Sequence, residues 1–197
     1  MSSETRRELN AQATREGIIL AGRAIFGRDG FETAALGDIA RAAKVTTGAL
    51  YHHFANKKDL FRAVAEHLEQ ELLLRVGASL ARESEPLAQL RAGVVATLDL
   101  STEPLIARIL IHDAPSVIGG AEWREIEKRY AFGAMIGILT AIQASGTSRI
   151  RNPELTASIL LGALLEAANT IVFASDRELV LEQARAALID TVDALAG

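Results

Sequence analysis

The sequence predicts an all-α protein of about nine helices. Apolar residues recur at three- and four-residue intervals in segment after segment, the spacing that gathers them on one helical face. No segment sustains the strict alternation of a half-buried strand, and no internal repeat is visible. The composition is rich in Ala and Leu, with four Pro and 5% aromatic residues, which suits helices.

The elements follow in order. Residues 14–29 carry Ile18, Ala21, Ile25 and Phe26 on one face, and Gly30 supplies a left-handed stop. Phe31 is then placed to pack back on the same core. Leu36, Ile39, Ala40 and Ala43 mark a short second helix, and residues 45–54 a third with Thr46 as its N-cap. Asn56 opens a fourth helix, paired with Asp59 in a capping-box-like arrangement. Its stripe of Leu60, Phe61, Val64, Ala65, Leu68 and Leu72 runs on toward Ala81, the length of a connecting rod. Pro86 and Pro104 sit where helices start, the latter leading residues 105–111. Pro115, Gly119 and Gly120 predict a loop over 114–120. Helical spacing resumes over 121–144, Ser145 and Gly146 interrupt it, and Pro153 starts a helix to about Ala174. Asp176 caps a last helix ending near Leu195.

The 197 residues, 49% of them apolar, carry a formal net charge of −4, a globular composition. There is no cysteine, so disulfides, thiolate metal sites and a cysteine nucleophile are excluded. The polar N-terminus is not a signal peptide. The longest apolar run, 131–142, is shorter than the roughly 20 residues of a membrane span. These features predict a cytoplasmic protein without a membrane partner. Residues 1–60 hold nine Lys and Arg against seven Asp and Glu, the remainder twelve against eighteen. The sign suits an N-terminal segment that meets phosphate and a body that does not.

Three short helices, the last two joined by a tight turn, form a helix-turn-helix pattern. The stretch 31–60, densest at Val45-Thr-Thr-Gly-Ala-Leu-Tyr-His-His-Phe54 with Asn56, Lys57 and Leu60, resembles the TetR family of bacterial repressors. The resemblance runs from Arg15 to about Phe61; beyond that it rests on helix number and length. It implies a DNA-binding domain over 1–56 and a helical ligand-binding and dimerisation domain over 57–197. Val45 and Leu50 face inward and set the angle of the recognition helix. Thr46, Thr47, Gly48 and Ala49 occupy its first turn, which meets base edges in the major groove. Thr47 is the best reader of sequence, Gly48 permits close approach, and Ala49 can touch a thymine methyl. By resemblance Tyr51 and His53 hold phosphates, and His52 reaches a base or a phosphate. Lys57 adds a cation beside free backbone amides. The family's usual hydroxyl and basic residue at the second helix are replaced by Ala35 and Gly37. Thr33 is then an alternative cap, and Arg41 or Lys44 can share the contacts to the DNA backbone.

Other patterns have simpler readings. His52 and His53 point about 100° apart on a helix and do not chelate one ion, and no metal or cofactor is expected. His67 and His112 read as structural, with a ligand contact or pH switch as the alternative. The glycines of 22–27 have phosphate-loop spacing but lack the Lys-Ser/Thr that follows it. Gly133 and Gly137 form a GxxxG that permits close helix packing. Glu122, Glu125 and Glu127 beside Trp123 read as a solvated face. No Ser-His-Asp order or paired-carboxylate setting emerges, so the chain is not expected to be an enzyme.

The last two helices, about 153–195, mix small residues with aliphatic ones. Such faces suit a four-helix bundle shared by two chains, the arrangement the resemblance also implies; the alternative is that they close the monomer's own core. Helices between Pro86 and Ala144 would enclose a pocket for a largely apolar or amphipathic small molecule. Trp123, Tyr130, Phe132 and Met135 are candidates for its wall, and Arg108 or His112 for its polar anchor. Glu166 and Asn169 border either that pocket or the dimer seam. The resulting reading is a homodimeric repressor released from a pseudo-palindromic double-stranded DNA operator by an unidentified small-molecule effector. An activator, or a regulator without a ligand, is the alternative.

Overall fold

Side-chain caps set the N-termini of several helices. In the computed structural model, which describes residues 3–146 and 148–196, nine helices and no strand are present among the described residues. Helix α1 (Ser3–Thr33) starts well before residue 14 and changes direction at Gly30, where φ is 76°. Then come α2 (Leu36–Ala42), α3 (Thr47–His53), α4 (Lys57–Leu80) and α5 (Pro86–Ser101). Helix α6 is continuous over 104–118: Pro104–Ile106, a π-helical stretch Ala107–Asp113, and Ala114–Ile118. Helices α7 (Gly120–Ala144), α8 (Pro153–Phe173) and α9 (Arg177–Ala196) complete the chain. The Thr46 hydroxyl accepts from the Ala49 amide at 3.1 Å, and Asp176 Oδ1 from the Leu179 amide at 3.1 Å. Asn56 Oδ1 accepts from the Asp59 amide at 2.9 Å. The return bond joins the two side chains, Asn56 Nδ2 to Asp59 Oδ2, rather than reaching a backbone amide.

The predicted loop at 114–120 is mostly helix. Pro115 lies in the first turn after the π-helical stretch, whose wide turn accommodates the missing N–H and the ring. The chain breaks only at Gly119, with φ 107°. The apolar-run argument also falls short. Helix α8 has the length and composition of a membrane span, with mean hydropathy 1.7. Its Ala, Gly and Ser residues interrupt the run of large side chains without making the helix polar. One face of α8 lies in a core, through Ala157, Leu160, Leu164 and Ile171.

Two apolar cores divide the molecule. The first joins α1, α2 and α3 to the start of α4, to α6 and to the start of α7, and contains Phe26, Ile39, Leu50, Phe61, Ile109 and Trp123. Phe26, Phe31 and Phe61 pack ring to ring, with centroids 5.1–6.1 Å apart. Phe31 thus folds back as its position suggests. The second core joins α5, the end of α7, α8 and α9, around Val94, Leu98, Leu139, Leu160 and Val192. The glycines of 22–27 serve packing: a methyl at Gly22 would lie 3.1 Å from Val64 of α4, and one at Gly27 3.1 Å from Leu105 of α6. Gly133 and Gly137, in contrast, are exposed and a methyl on either would meet nothing within 4 Å. This GxxxG makes no close helix contact among the described residues.

Candidate nucleic-acid interface and effector cavity

Helix α3 is held from beneath and open above. Leu50 is fully buried and Val45 half-buried, which fixes the helix on the first core. Thr46, Thr47, Gly48, Tyr51 and His52 are exposed, Ala49 and His53 half-buried. Tyr51 is half uncovered, at 52%. The Thr46 oxygen serves as the cap, leaving Thr47 as the free hydroxyl of the first turn. Lys57 is tethered within the protein. Its ammonium donates to the Glu32 carbonyl at 2.9 Å and lies 4.7 Å from the centre of the Phe31 ring. Ala35 provides no side-chain cap for α2, and Thr33 does not substitute for it. Lys44 takes the left-handed conformation, φ 57°, in the turn between α2 and α3, and Arg41 pairs with Asp38 at 2.7 Å.

A cavity of about 910 Å3, part of it open to solvent, lies between α4, α5, α7 and α8. Leu72, Val76, Val94, Met135 and Leu164 make its wall apolar. A smaller cavity of about 490 Å3 adjoins it toward α6, lined by Ile106, Leu110, Pro115, Trp123 and Asn169 among others. Of the sequence-predicted ligand residues, Tyr130 and Met135 border the larger cavity and Trp123 and Asn169 the smaller. The Tyr130 hydroxyl accepts from Gln70 at 3.2 Å, and the Asn169 amide donates to the Leu165 carbonyl of its own helix at 3.0 Å.

Arg108, His112, Phe132 and Glu166 border neither cavity. Arg108 is exposed and turns toward Gly30 and Asp113, and His112 packs edge-on against Phe173 at 4.4 Å. Phe132 packs against the second core, and Glu166 is exposed on the outer face of α8. His67 lies beside Glu16, 3.5 Å away.

The ionisable carboxyls that face the cavities are Glu69 and Glu127, each bordering both. Only 7% of Glu69 is exposed, and it has no hydrogen-bond or ion-pair partner among the described residues. Burial pushes its carboxyl up to about 8, and the nearby Glu127 charge adds to the shift. Burial also raises Glu127, to about 7, while the Trp123 and Arg124 side chains favour its charged form. The solvated-face reading therefore fails for Glu127. Glu125 does stay out, beside Lys128 at 3.3 Å, and Glu122 reaches across to Arg62 of α4 at 2.8 Å. A sequence signal for both buried acids existed. Glu69 continues the stripe Phe61, Ala65, Leu72, Val76, and Glu127 lies between Trp123 and Tyr130 on another.

One joint links the two regions. The Phe31 amide, just past the bend in α1, donates to Asp113 Oδ2 of α6 at 2.8 Å. Arg108 Nε stands 3.5 Å from the same oxygen. Its guanidinium lies over Gly30, so close that a methyl there would sit 1.8 Å from one nitrogen.

A three-helix module with an exposed reading helix, joined by one long helix to a body holding an apolar cavity, defines a helix-turn-helix transcriptional regulator. Residues 18–64 match the family model "Bacterial regulatory proteins, tetR family", and 87–195 match "Tetracyclin repressor-like, C-terminal domain". The chain belongs to the TetR family of transcriptional regulators. It is 35% identical over 114 residues to the HTH-type transcriptional regulator AcrR of Shigella flexneri, across 56% of this chain and 51% of that one. It is 36% identical over 98 residues to the HTH-type transcriptional repressor BepR of Brucella suis, across 48% and 46%. The chain thus spans about half the length of the curated relatives it matches. A TetR-family regulator from Pectobacterium atrosepticum, solved by crystallography, superposes with a TM-score of 0.85 at 30% identity, covering 95% of this chain and 96% of that one. Each of these relatives is a transcriptional regulator.

Proposed function

We propose that this chain is a cytoplasmic homodimeric repressor that a small molecule releases from a pseudo-palindromic operator. The observation that carries the reading is the double use of α4. Its first turns bury Leu60, Phe61 and Val64 in the core under the reading helix, and its later turns present Glu69, Leu72, Leu73 and Val76 to the cavity. A molecule that fills the cavity therefore acts on the helix that sets the attitude of α3. It shifts the balance of conformations only by its differential affinity for them. The division is residues 1–56 for DNA and 57–197 for ligand and dimerisation. Thr47 reads sequence from the first turn with Thr46, Gly48 and Ala49, while Tyr51, His52, His53 and Lys57 position the protein on bases and phosphates. The second copy docks on α8 and α9, where Leu155, Ile159, Phe173 and Leu179 stand exposed.

The test is an anisotropy titration against an inverted repeat taken from the DNA flanking the gene. Affinity falls steeply with salt. Tyr51→Ala with Lys57→Ala weakens all duplexes about tenfold or more, whereas Thr47→Ala changes the order of preference among operator variants. Unchanged affinity in the double variant removes the assigned DNA face.

A further inference from the structure

Carboxylates in an apolar cavity are costly unless something pairs with them. Other acids on or beside α4 are paired. Glu71 accepts from Arg23 at 2.5 Å, Glu103 pairs with Arg75, and Glu122 with Arg62. Glu69 has none and is nine-tenths covered, and Glu127 faces it from α7. Among the described residues no lysine or arginine lines either cavity. The other helices around Glu69 present uncharged groups: Gln89, Thr97 and Ser101 from α5, Asn169 from α8, and only apolar side chains from α6. On α7 the titratable or charged neighbours are Glu127, Arg124 and Tyr130.

We infer that the effector is a hydrophobic organic cation, an amine or quaternary ammonium, whose apolar body fills the larger cavity while its charge stands between Glu69 and Glu127. The inference rests on the ligand-responsive reading above and specifies its chemistry. An anionic ligand would meet two acids and no basic side chain in the lining. A neutral apolar ligand would leave Glu69 without a partner. The Tyr130 ring on the same wall adds a face that attracts cations. In the empty protein the raised carboxyls hold protons near neutral pH. When an ammonium enters, a carboxyl O–H becomes carboxylate and its proton passes to the buffer. Binding of a permanent cation thus releases up to one proton for each carboxyl that ionises, and tightens as pH rises from 6 to 8.

The acids also face the smaller cavity, which α6 borders through Ile106, Leu110 and Pro115. Charging them changes the environment beside the helix that holds the Phe31 amide through Asp113.

A matched series separates the possibilities: decyltrimethylammonium, decylamine, 1-decanol and decanoate, which share one chain length and differ in head group. Each is titrated into the full-length protein by calorimetry at pH 7, below its aggregation concentration, in two buffers of different ionisation enthalpy. The two cations bind about tenfold or more tighter than decanol and decanoate, with proton release. Glu69→Gln and Glu127→Gln, near-isosteric with the protonated acid, each remove about tenfold of cation affinity and leave decanol unchanged; a thermal melt confirms that they fold. Equal or tighter binding of decanol or decanoate overturns the inference, as does cation affinity insensitive to both variants, or no binding by any member. Operator anisotropy in parallel tests the reading beneath it. Glu-dependent cation binding that leaves operator affinity unchanged supports the cation site and overturns effector release. Release by decanol without cation preference does the reverse.

Discussion

Glu69 shows how far one residue's surroundings set its chemistry. In the unfolded chain it titrates near its ordinary 4.5, whereas in the fold burial holds it at about 8. Between those values the folded protein keeps a proton that the unfolded chain has lost. Stability therefore falls as pH rises through this window and levels off above it. Glu127, raised to about 7, acts in the same direction, and the two share their titration. The expected result is a loss of about 1–3 kcal/mol between pH 6 and pH 8, read from urea midpoints of the ligand-free protein. Glu69→Gln flattens that slope. The difference between wild type and variant is the decisive quantity. Parallel pH profiles would contradict the assigned burial.

At the scale of elements, the sharpest feature is the contact between α1 and α6. Gly30 adopts φ 76°, ψ 169°, a region that side chains rarely enter, and the Arg108 guanidinium occupies the space a methyl would need. Gly30→Ala should cost about 1–3 kcal/mol from backbone strain alone. Gly30→Ala with Arg108→Ala should recover only the part due to the clash, so a double-variant cycle by chemical denaturation separates the two. Full recovery would show that the backbone conformation costs nothing. Here sequence reasoning had partial reach. Gly30 as a stop, Thr46, Asn56 and Asp176 as caps, and the prolines at 86, 104 and 153 were legible because each acts within a few residues of itself. The Phe31–Asp113 bond, the inward turn of Glu127 and the departure of Arg108 from the cavity were not. Periodicity assigns a residue to a face but says nothing of which helix, 80 positions away, will cover that face. The π-helical stretch hid for a related reason: Pro115 reads locally as a break, and only the packing of α6 in the first core carries the helix through it.

At the scale of the whole molecule, the proposed dimer makes the outer face of α8 the link between structure and DNA reading. Leu155, Ile159 and Phe173 are 59%, 63% and 62% exposed and stand at helical spacing with the exposed Gly162, Glu166 and Thr170. The opposite face is fixed in the second core, so these apolar groups are left on the outside of the fold rather than awaiting an internal partner. Ile159→Asp adds a charge where the side chain already meets solvent, and the monomer's fold should tolerate it within about 0.5 kcal/mol. A buried self-complementary seam should not, because a twofold axis places the new charge on both copies. Sedimentation should then give a 21.1 kDa species with unchanged helical circular dichroism. Operator affinity should fall roughly 100-fold or more, since one reading helix loses its partner in the next half-site. Calorimetric binding of decyltrimethylammonium should persist, because Ile159 lines neither cavity. A variant that still sediments as a dimer and still binds the operator would move the seam elsewhere. A variant that loses both operator and cation binding while remaining helical would show that the cavity needs the second copy to hold its shape.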